Sequence, residues 1–89
     1  MTKIDLGINR YGAHLCFENI KDNIYELKSD NQYVLEYCRI GTTDAEVIMV
    51  DPSGGPYISI GDVFGDYVLD NIFFEGRCLR FELNFKNNE

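Results

Sequence analysis

The sequence lacks the long apolar runs that membrane-spanning and secreted proteins carry. Its longest uninterrupted aliphatic run covers residues 47–50, whereas a membrane-spanning helix needs roughly 20 apolar residues. The first three residues lead into no apolar region of the signal-peptide type. We therefore expect a cytoplasmic protein without a membrane partner. A chain of this length supports one small core, so we expect a single domain over residues 1–89.

Cysteine and histidine are scarce, and their spacing builds no recognisable site. The three cysteines are odd in number and widely separated, which does not suit the disulfide framework of a small secreted domain, so we expect them to be reduced. His14 and Cys16 would face the same way on a strand, and Cys38 or Cys78 would add a third zinc ligand. No C-x-x-C pair anchors such a site. A lone histidine beside a small cysteine more often reflects packing.

Catalytic signatures are also missing. One histidine and scattered acids do not assemble into a nucleophile, a base and an orienting group. Asp62, Asp66 and Asp70 would suit a hard cation, but they lack the D-x-D-x-D-G spacing and the final glutamate of an EF-hand loop. The sequence therefore predicts a protein that is not an enzyme, with no catalytic residue, no metal and no cofactor.

Basic residues are absent from one continuous part of the chain. The protein has 15 acids and 8 bases, which gives a net charge of −7. Residues 40–76 contain no lysine or arginine. The acids within that stretch account for the whole excess, and they are Asp44, Glu46, Asp51, Asp62, Asp66, Asp70 and Glu75. The rest of the chain is neutral on balance.

This asymmetry predicts the kind of partner. Affinity for nucleic acid depends on clustered lysine and arginine, which this chain lacks, so we expect no direct binding to nucleic acid. An acidic surface is attracted instead to a cationic one. We expect the acids of residues 40–76 to bind a protein partner that has a basic surface.

The apolar residues follow the two-residue period of β-strands. The clearest case is the strand over residues 77–85, in which apolar and polar residues alternate. A hairpin is expected between this strand and residues 67–74, because residues 75–76 are a short link with a glycine. Pairing Phe74 with Arg77 puts Asp70 on the apolar face, where an unpaired carboxylate is costly. We expect a β-bulge to displace Asp70, or a partner to pair with it.

Other segments are weaker but of the same type. A second hairpin is expected between residues 23–28 and 32–40, around a turn-forming Ser-Asp-Asn string, and residues 46–51 form a further apolar run. A helix over residues 61–74 is disfavoured by its two glycines. The pattern predicts a mainly β fold, a small antiparallel barrel or sandwich of about six to eight short strands. An α+β fold with one short helix is the alternative.

The string D-P-S-G-G-P at residues 51–56 is the most distinctive local feature. The backbone around Ser53, Gly54 and Gly55 could form an anion-binding nest, with Tyr57 and Tyr67 as walls of a pocket. The string has no P-loop lysine and is not G-x-G-x-x-G, and a Pro/Gly turn between strands explains the same residues. A small-molecule or nucleotide-binding protein is therefore the alternative function.

The leading hypothesis is a small acidic binding protein that acts by protein–protein interaction, with residues 40–76 docking on a basic partner. Small phage-type inhibitors that mimic nucleic acid share this size and charge, so the hypothesis includes a partner whose nucleic-acid groove is occupied. A homo-oligomer also remains open.

Overall fold

A computed structural model of the chain describes residues 2–8, 12–41, 47–49 and 57–86. The fold in these ranges is mainly β, as predicted. It contains eight strands and one helix, whose bounds are β1 Lys3–Ile8, β2 His14–Lys21, β3 Ile24–Ser29, α1 Gln32–Gly41, β4 Val47–Met49, β5 Tyr57–Ser59, β6 Val63–Phe64, β7 Tyr67–Glu75 and β8 Cys78–Phe85. No helix in the described ranges has the length and apolar character to cross a membrane.

Six strands form one antiparallel sheet in the order β1-β2-β3-β8-β7-β6. The sheet consists of two three-stranded meanders, β1 to β3 and β6 to β8, which meet where Tyr25 of β3 pairs with Phe81 of β8. The sheet curls into a nearly closed barrel. Phe17 of β2 therefore packs edge-on against Phe64 of β6, with ring centroids 5.4 Å apart, although the two strands lie towards opposite edges of the sheet.

The barrel interior follows from the two-residue alternation. Leu15 and Phe17 of β2 face Leu69 of β7 and Phe81 and Leu83 of β8, and each of these side chains is buried. Successive residues of a strand point to opposite faces, so each strand contributes alternate apolar side chains to this core. The polar residues between them lie on the outside of the barrel.

The hairpin between β7 and β8 is present, but its expected register is wrong. Glu75 pairs with Cys78, so the loop residues are Gly76 and Arg77 rather than Glu75 and Gly76. Gly76 has a φ of 64°, which suits glycine in the first loop position of a tight hairpin. The register shifts between Leu69 and Asn71, which leaves Asp70 as the extra residue of a β-bulge. The expected displacement of Asp70 is thus confirmed.

The expected strand over residues 32–40 is wrong, because these residues form α1. The Asn31 side chain caps this helix: its Oδ1 accepts hydrogen bonds from the backbone N–H groups of Tyr33 at 3.0 Å and of Val34 at 3.3 Å. Val34 and Cys38, four residues apart on one helix face, are both buried in the core. Tyr33 is 73% exposed, so its alternation with other apolar residues does not reflect a buried strand face.

The strands β4 and β5 form a separate two-stranded sheet. Val47 pairs with Ser59 and Met49 with Tyr57, so the expected strand within residues 46–51 is present over three residues. Ile58 joins this hairpin to the core, because its side chain is only 5% exposed. Residues 61–74, for which a helix was disfavoured, hold β6 and most of β7.

Candidate functional site

The structure separates the seven predicted partner-binding acids. Asp44, Glu46 and Asp51 lie outside the described residues, so their role stays a prediction. The other four are described, and they do not share one place. Asp66 precedes the first residue of β7 and Glu75 is its last, which puts them about 30 Å apart along the strand at roughly 3.4 Å per residue.

Glu75 belongs to a chain of ion pairs. Its carboxylate lies 3.8 Å from Lys21 Nζ and 3.3 Å from Arg80 Nε. Arg80 also contacts Glu26 at 3.3 Å, and Glu26 contacts Lys28 at 3.1 Å. Five charges from β2, β3, β7 and β8 are therefore connected. Glu75 belongs to the acidic stretch of residues 40–76, but its ion-pair partners Lys21 and Arg80 lie outside that stretch. The charge of Glu75 is therefore neutralised locally.

Asp62, Asp66 and Asp70 lie on the β6–β7 hairpin and its flanks, and we refer to these three as the hairpin acids. Asp62 caps the turn before β6, since its Oδ2 accepts the Ser59 N–H at 2.9 Å. The backbone carbonyl of Asp66 accepts the Lys86 N–H at 2.7 Å. Within the described ranges, none of the three carboxylates forms an ion pair with a lysine, arginine or histidine.

Most described bases, in contrast, have an acidic partner. In addition to the chain of five charges, Lys3 pairs with Glu18 at 3.6 Å, and Arg39 pairs with Glu36 one helical turn away. Arg77 is the base of the β7–β8 loop, and no ion pair to it occurs among the described residues. The paired bases are thus used inside their own half or on Glu75. Lys86, whose backbone N–H binds the Asp66 carbonyl, and Lys3, which lines one cavity with Asp66, are neighbours of the hairpin acids, but neither forms an ion pair with them among the described residues.

The barrel is open at the end where β3 begins and β8 ends, and aromatic rings line this opening. Tyr67 stacks on Phe85 with ring centroids 4.7 Å apart and an interplanar angle of 26°. Tyr25 meets the edge of Tyr67 at 6.2 Å. Phe85 is 73% exposed, whereas Tyr25 is buried. We call this opening the barrel mouth. Its cavity has a volume of about 230 Å³, and its lining residues are Thr2, Asn19, Asp22, Asn23, Tyr25, Tyr67, Leu83, Asn84 and Phe85.

Carboxamides connect the barrel mouth to the hairpin acids. Asn23 Nδ2 donates to Asn84 Oδ1 at 2.8 Å. Asn84 Nδ2 in turn donates to Asp70 Oδ2 at 2.6 Å and to Glu82 Oε2 at 3.2 Å. One amide group therefore holds two carboxylates beside the mouth. The β-bulge makes this contact, because it turns the Asp70 side chain away from the apolar face.

Burial is the main cause of the raised pKa of Tyr25, and the neighbouring Tyr67 hydroxyl raises that pKa further. Both effects disfavour the phenolate. Tyr25 therefore remains a neutral hydroxyl throughout the physiological pH range. It presents a hydrogen-bonding group at the base of an aromatic wall.

The predicted ligand loop is largely outside the described residues. This applies to Ser53, Gly54 and Gly55, and the Tyr57 side chain is likewise not described, so the ligand role of this loop stays a prediction. Tyr67, the fifth residue of that prediction, lies at the barrel mouth.

Arg39 of α1 lines one cavity of about 240 Å³ with Arg77 and Arg80, which lie three residues apart at the β7–β8 loop and in β8. Glu26 and Glu36 line the same cavity and pair with two of these arginines. The cavity is thus electrically balanced apart from Arg77, and two of its three arginines are already used inside the protein.

His14 and Cys16 line one cavity and Cys38 and Cys78 line another, so the zinc ligand set considered from the sequence is divided between two places. His14 Nε2 lies 2.6 Å from Asp5 Oδ1, Cys38 is buried on the core-facing side of α1, and Cys78 is exposed at the start of β8. Burial raises the pKa of the Cys38 thiol to about 11, which keeps it protonated and unreactive near neutral pH. In the part of the chain that the structure describes, no three metal-binding side chains are grouped.

Sequence reasoning missed Tyr25, Asn84 and Phe85 as site residues. Each lies near the end of a strand, and only the β3–β8 pairing brings them together. The expected register would have paired Tyr67 with Asn84, and Tyr67 pairs with Phe85 only because of the bulge at Asp70. Comparison of the chain with protein-family models, with curated proteins and with solved structures gave no significant match.

Proposed function

We propose that this protein is a non-enzymatic interaction module that docks on the basic surface of a protein partner through the hairpin acids. The observation that carries this proposal is the uneven use of charge. Asp62, Asp66 and Asp70 have no cationic partner among the described residues, whereas five lysines and arginines are paired internally.

Surface carboxylates that lack a cationic partner act over a distance. At physiological ionic strength the field of a charge extends over about 8 Å, and charges of one sign that lie close together add their fields. Such a patch accelerates encounter with a cationic surface and rejects anionic ones. The proposed docking surface is therefore smaller than residues 40–76 as a whole, because Glu75 lies at the far end of β7 and is neutralised.

A groove that binds nucleic acid is one surface of the required kind, since its lysines and arginines normally face phosphates. The hairpin acids would occupy such a groove in place of phosphates. This version of the proposal predicts competition: single- or double-stranded DNA would displace the protein from its partner, whereas a partner with an unrelated basic surface would not respond to DNA.

The test is affinity capture with a charge-matched control. The variant D62N/D66N/D70N removes the three hairpin acids and keeps the hydrogen-bond acceptors, including the one that caps the turn before β6. The control E18Q/E36Q/E75Q changes the net charge equally but removes acids that already have partners. We expect the wild type and the control to retain a basic partner in 0.05 M salt and to lose it in 0.5 M salt, and the hairpin variant to lose it in both.

Equal retention of that partner by the two triple variants would overturn the proposal, because docking would then follow net charge alone. Retention that is insensitive to salt would also contradict it. Circular dichroism of all three proteins confirms that the variants are folded.

A further inference from the structure

The barrel mouth combines aromatic faces with acidic and neutral oxygen acceptors, and no lysine or arginine lines it among the described residues. Lys3, Lys21 and Lys86 each adjoin a lining residue along the chain but are not part of the lining. Lys3 and Lys21 are already paired with Glu18 and Glu75. Asp22 is an acidic residue of the lining, and its backbone φ of 45° belongs to the β2–β3 turn that forms one rim. Asp70 and Glu82 stand behind Asn84, at 2.6 and 3.2 Å from its amide nitrogen.

An exposed aromatic face attracts cations, because the ring quadrupole is negative on its face. The stacked arrangement of Tyr67 and Phe85 covers one side of each ring and leaves the outer face of Phe85 to solvent, as its 73% exposure indicates. A planar guanidinium group stacks on such a face and donates hydrogen bonds in its own plane. The acceptors must then belong to the same cavity as the ring, and Asn19, Asp22 and Phe85 all line the mouth.

Asn19 supplies an acceptor of this kind. Its Nδ2 group donates to the backbone carbonyls of Asp22 at 2.9 Å and of Ile24 at 3.1 Å. These two bonds fix the amide and leave its Oδ1 directed elsewhere. A fixed amide oxygen and the Asp22 carboxylate on one rim together offer more than one acceptor to a donor group that has five N–H bonds.

The volume of the mouth limits the size of its ligand. Pockets for drug-sized ligands and cofactors have volumes of about 300–1,000 Å³, and the mouth, at about 230 Å³, is smaller. It suits the end of one side chain better than a nucleotide. A phosphate-bearing ligand would in addition meet Asp22 and the hairpin acids without a compensating base in the lining.

We infer that the barrel mouth is the receptor for one arginine side chain of the basic partner, with the guanidinium stacked on Phe85 and hydrogen-bonded at the rim that carries Asn19 and Asp22. The inference rests on the proposed function, since the hairpin acids bring the basic surface to the mouth. The bound arginine would make the docking specific, whereas attraction between charges alone would accept any basic surface.

The experiment titrates the wild-type protein with N-acetyl-arginine amide and with N-acetyl-citrulline amide, and follows the ring signals of Tyr67 and Phe85 by NMR. Citrulline has nearly the same shape but is neutral. We expect saturable shifts of both rings with the arginine compound and none with the citrulline compound. Phe85→Ala is expected to weaken arginine binding by roughly two- to fivefold, the range for an exposed cation–π contact. Asp22→Asn should also weaken it.

Phe74→Ala is the matched control, because Phe74 is also a partly exposed aromatic residue, 41% accessible, but lies near the opposite end of β7. It should leave arginine binding unchanged. Phe85 is exposed and ends β8, so its replacement leaves the core intact, and a melting curve confirms that the variant is folded.

The outcomes separate this inference from the proposed function. If arginine and citrulline shift the rings equally, or if F85A binds arginine like the wild type, the mouth does not recognise a cation and the inference is wrong. Partner capture that is still lost in D62N/D66N/D70N then leaves the proposed function standing. If an oligothymidylate shifts the same ring signals more strongly than the arginine compound, the mouth is a nucleic-acid site, and both are overturned.

Discussion

Asn84 Nδ2 lies 2.6 Å from Asp70 Oδ2 and so connects the middle of β7 with the end of β8. The same amide group lies 3.2 Å from Glu82 Oε2. A single neutral donor therefore separates two carboxylates that would otherwise repel each other. Because Asp70 is the extra residue of the bulge, this contact also stabilises the shift in register on which the β7–β8 hairpin depends.

Replacing Asn84 by aspartate should destabilise the fold. The variant puts a third carboxylate between two others, and we expect the free energy of unfolding to fall by about 1–2 kcal/mol at low ionic strength. Urea unfolding measures this loss. Asn84→Ala is the neutral comparison: it removes the same hydrogen bonds without adding charge. The N84D loss should shrink in 0.5 M salt more than the N84A loss does, and equal salt responses would contradict the electrostatic explanation.

Removing the cap of α1 should have a similar cost. Asn31→Ala leaves the N–H groups of Tyr33 and Val34 without their side-chain acceptor, and we expect a loss of about 1 kcal/mol in urea unfolding. Asn31→Asp should retain most of the stability, because aspartate caps equally well. Asn71→Ala, an exposed position on β7, serves as the control and should change stability by less than about 0.5 kcal/mol. A loss as large in N71A as in N31A would argue against a specific cap.

Asp5 should contribute to stability in a manner that depends on pH. The Gly7 N–H, 2.8 Å from its Oδ1, is the main cause that lowers the pKa of Asp5 below 3.8, and His14 lowers it further. A carboxyl whose pKa is lower in the folded state stabilises the fold above its unfolded pKa, and the contribution is lost as the pH falls through the folded value. The melting temperatures of wild type and Asp5→Asn should therefore differ at pH 7 and converge as the pH falls through the folded pKa of Asp5.

An NMR titration checks the cause directly. The Asp5 carboxyl carbon should titrate at a lower pH than 3.8, and His14→Ala, which removes the second contact that lowers the pKa, should raise it. A melting difference between wild type and D5N that persists unchanged at pH 2 would mean that the contribution of Asp5 is not ionic.

The cysteines should differ sharply in their reactivity. Cys38 is fully buried and its pKa is raised to about 11, so at pH 8 about one thiol in a thousand is ionised even when it is reached by reagent. Exposed Cys78 should be alkylated fastest by iodoacetamide, and partly exposed Cys16 more slowly, so Cys78→Ser should leave only the slower labelling at Cys16 in the native protein. Cys38 should react only after denaturant is added. Rapid labelling of Cys38 in the native protein would show that α1 detaches readily from the barrel.

Local patterns predicted the elements that depend on local geometry. The alternation in β8 and the short link with Gly76 were sufficient for the β7–β8 hairpin, and the misfit of Asp70 with an apolar face was sufficient for the bulge. The exact register was not accessible, because moving the loop from Glu75-Gly76 to Gly76-Arg77 changes no local propensity and only alters which distant residues meet.

The helix was missed for a different reason. Residues 32–40 carry apolar residues at both a two-residue and a four-residue spacing, so the sequence fits a strand through Tyr33 and Leu35 and a helix through Val34 and Cys38. The packing of Val34 and Cys38 against the core favours the helix over the strand. The deciding local signal was Asn31, which was interpreted as a turn residue although it is equally a preferred helix cap.

Of the candidate site, only the negative charge could be predicted from the sequence. The excess of acids in residues 40–76 follows from the sequence, but the neutralisation of Glu75 depends on Lys21 and Arg80, which approach it from other strands. The barrel mouth depends on contacts such as Asn23 with Asn84, which are 61 residues apart. No local pattern encodes such contacts.

The five connected charges cross the place where the two meanders meet. Tyr25 and Ile24 are the β3 residues that pair directly with β8, whereas β2 and β3 pair at six positions. Ion pairs therefore connect the two meanders across this short β3–β8 pairing. They involve Lys28 and Glu26 on one meander and Arg80 and Glu75 on the other. Salt weakens such ion pairs. Raising the salt concentration weakens both the ion pairs that hold the barrel together and the attraction between the hairpin acids and a basic partner. A salt titration of docking therefore has to be interpreted beside melting curves at the same ionic strengths.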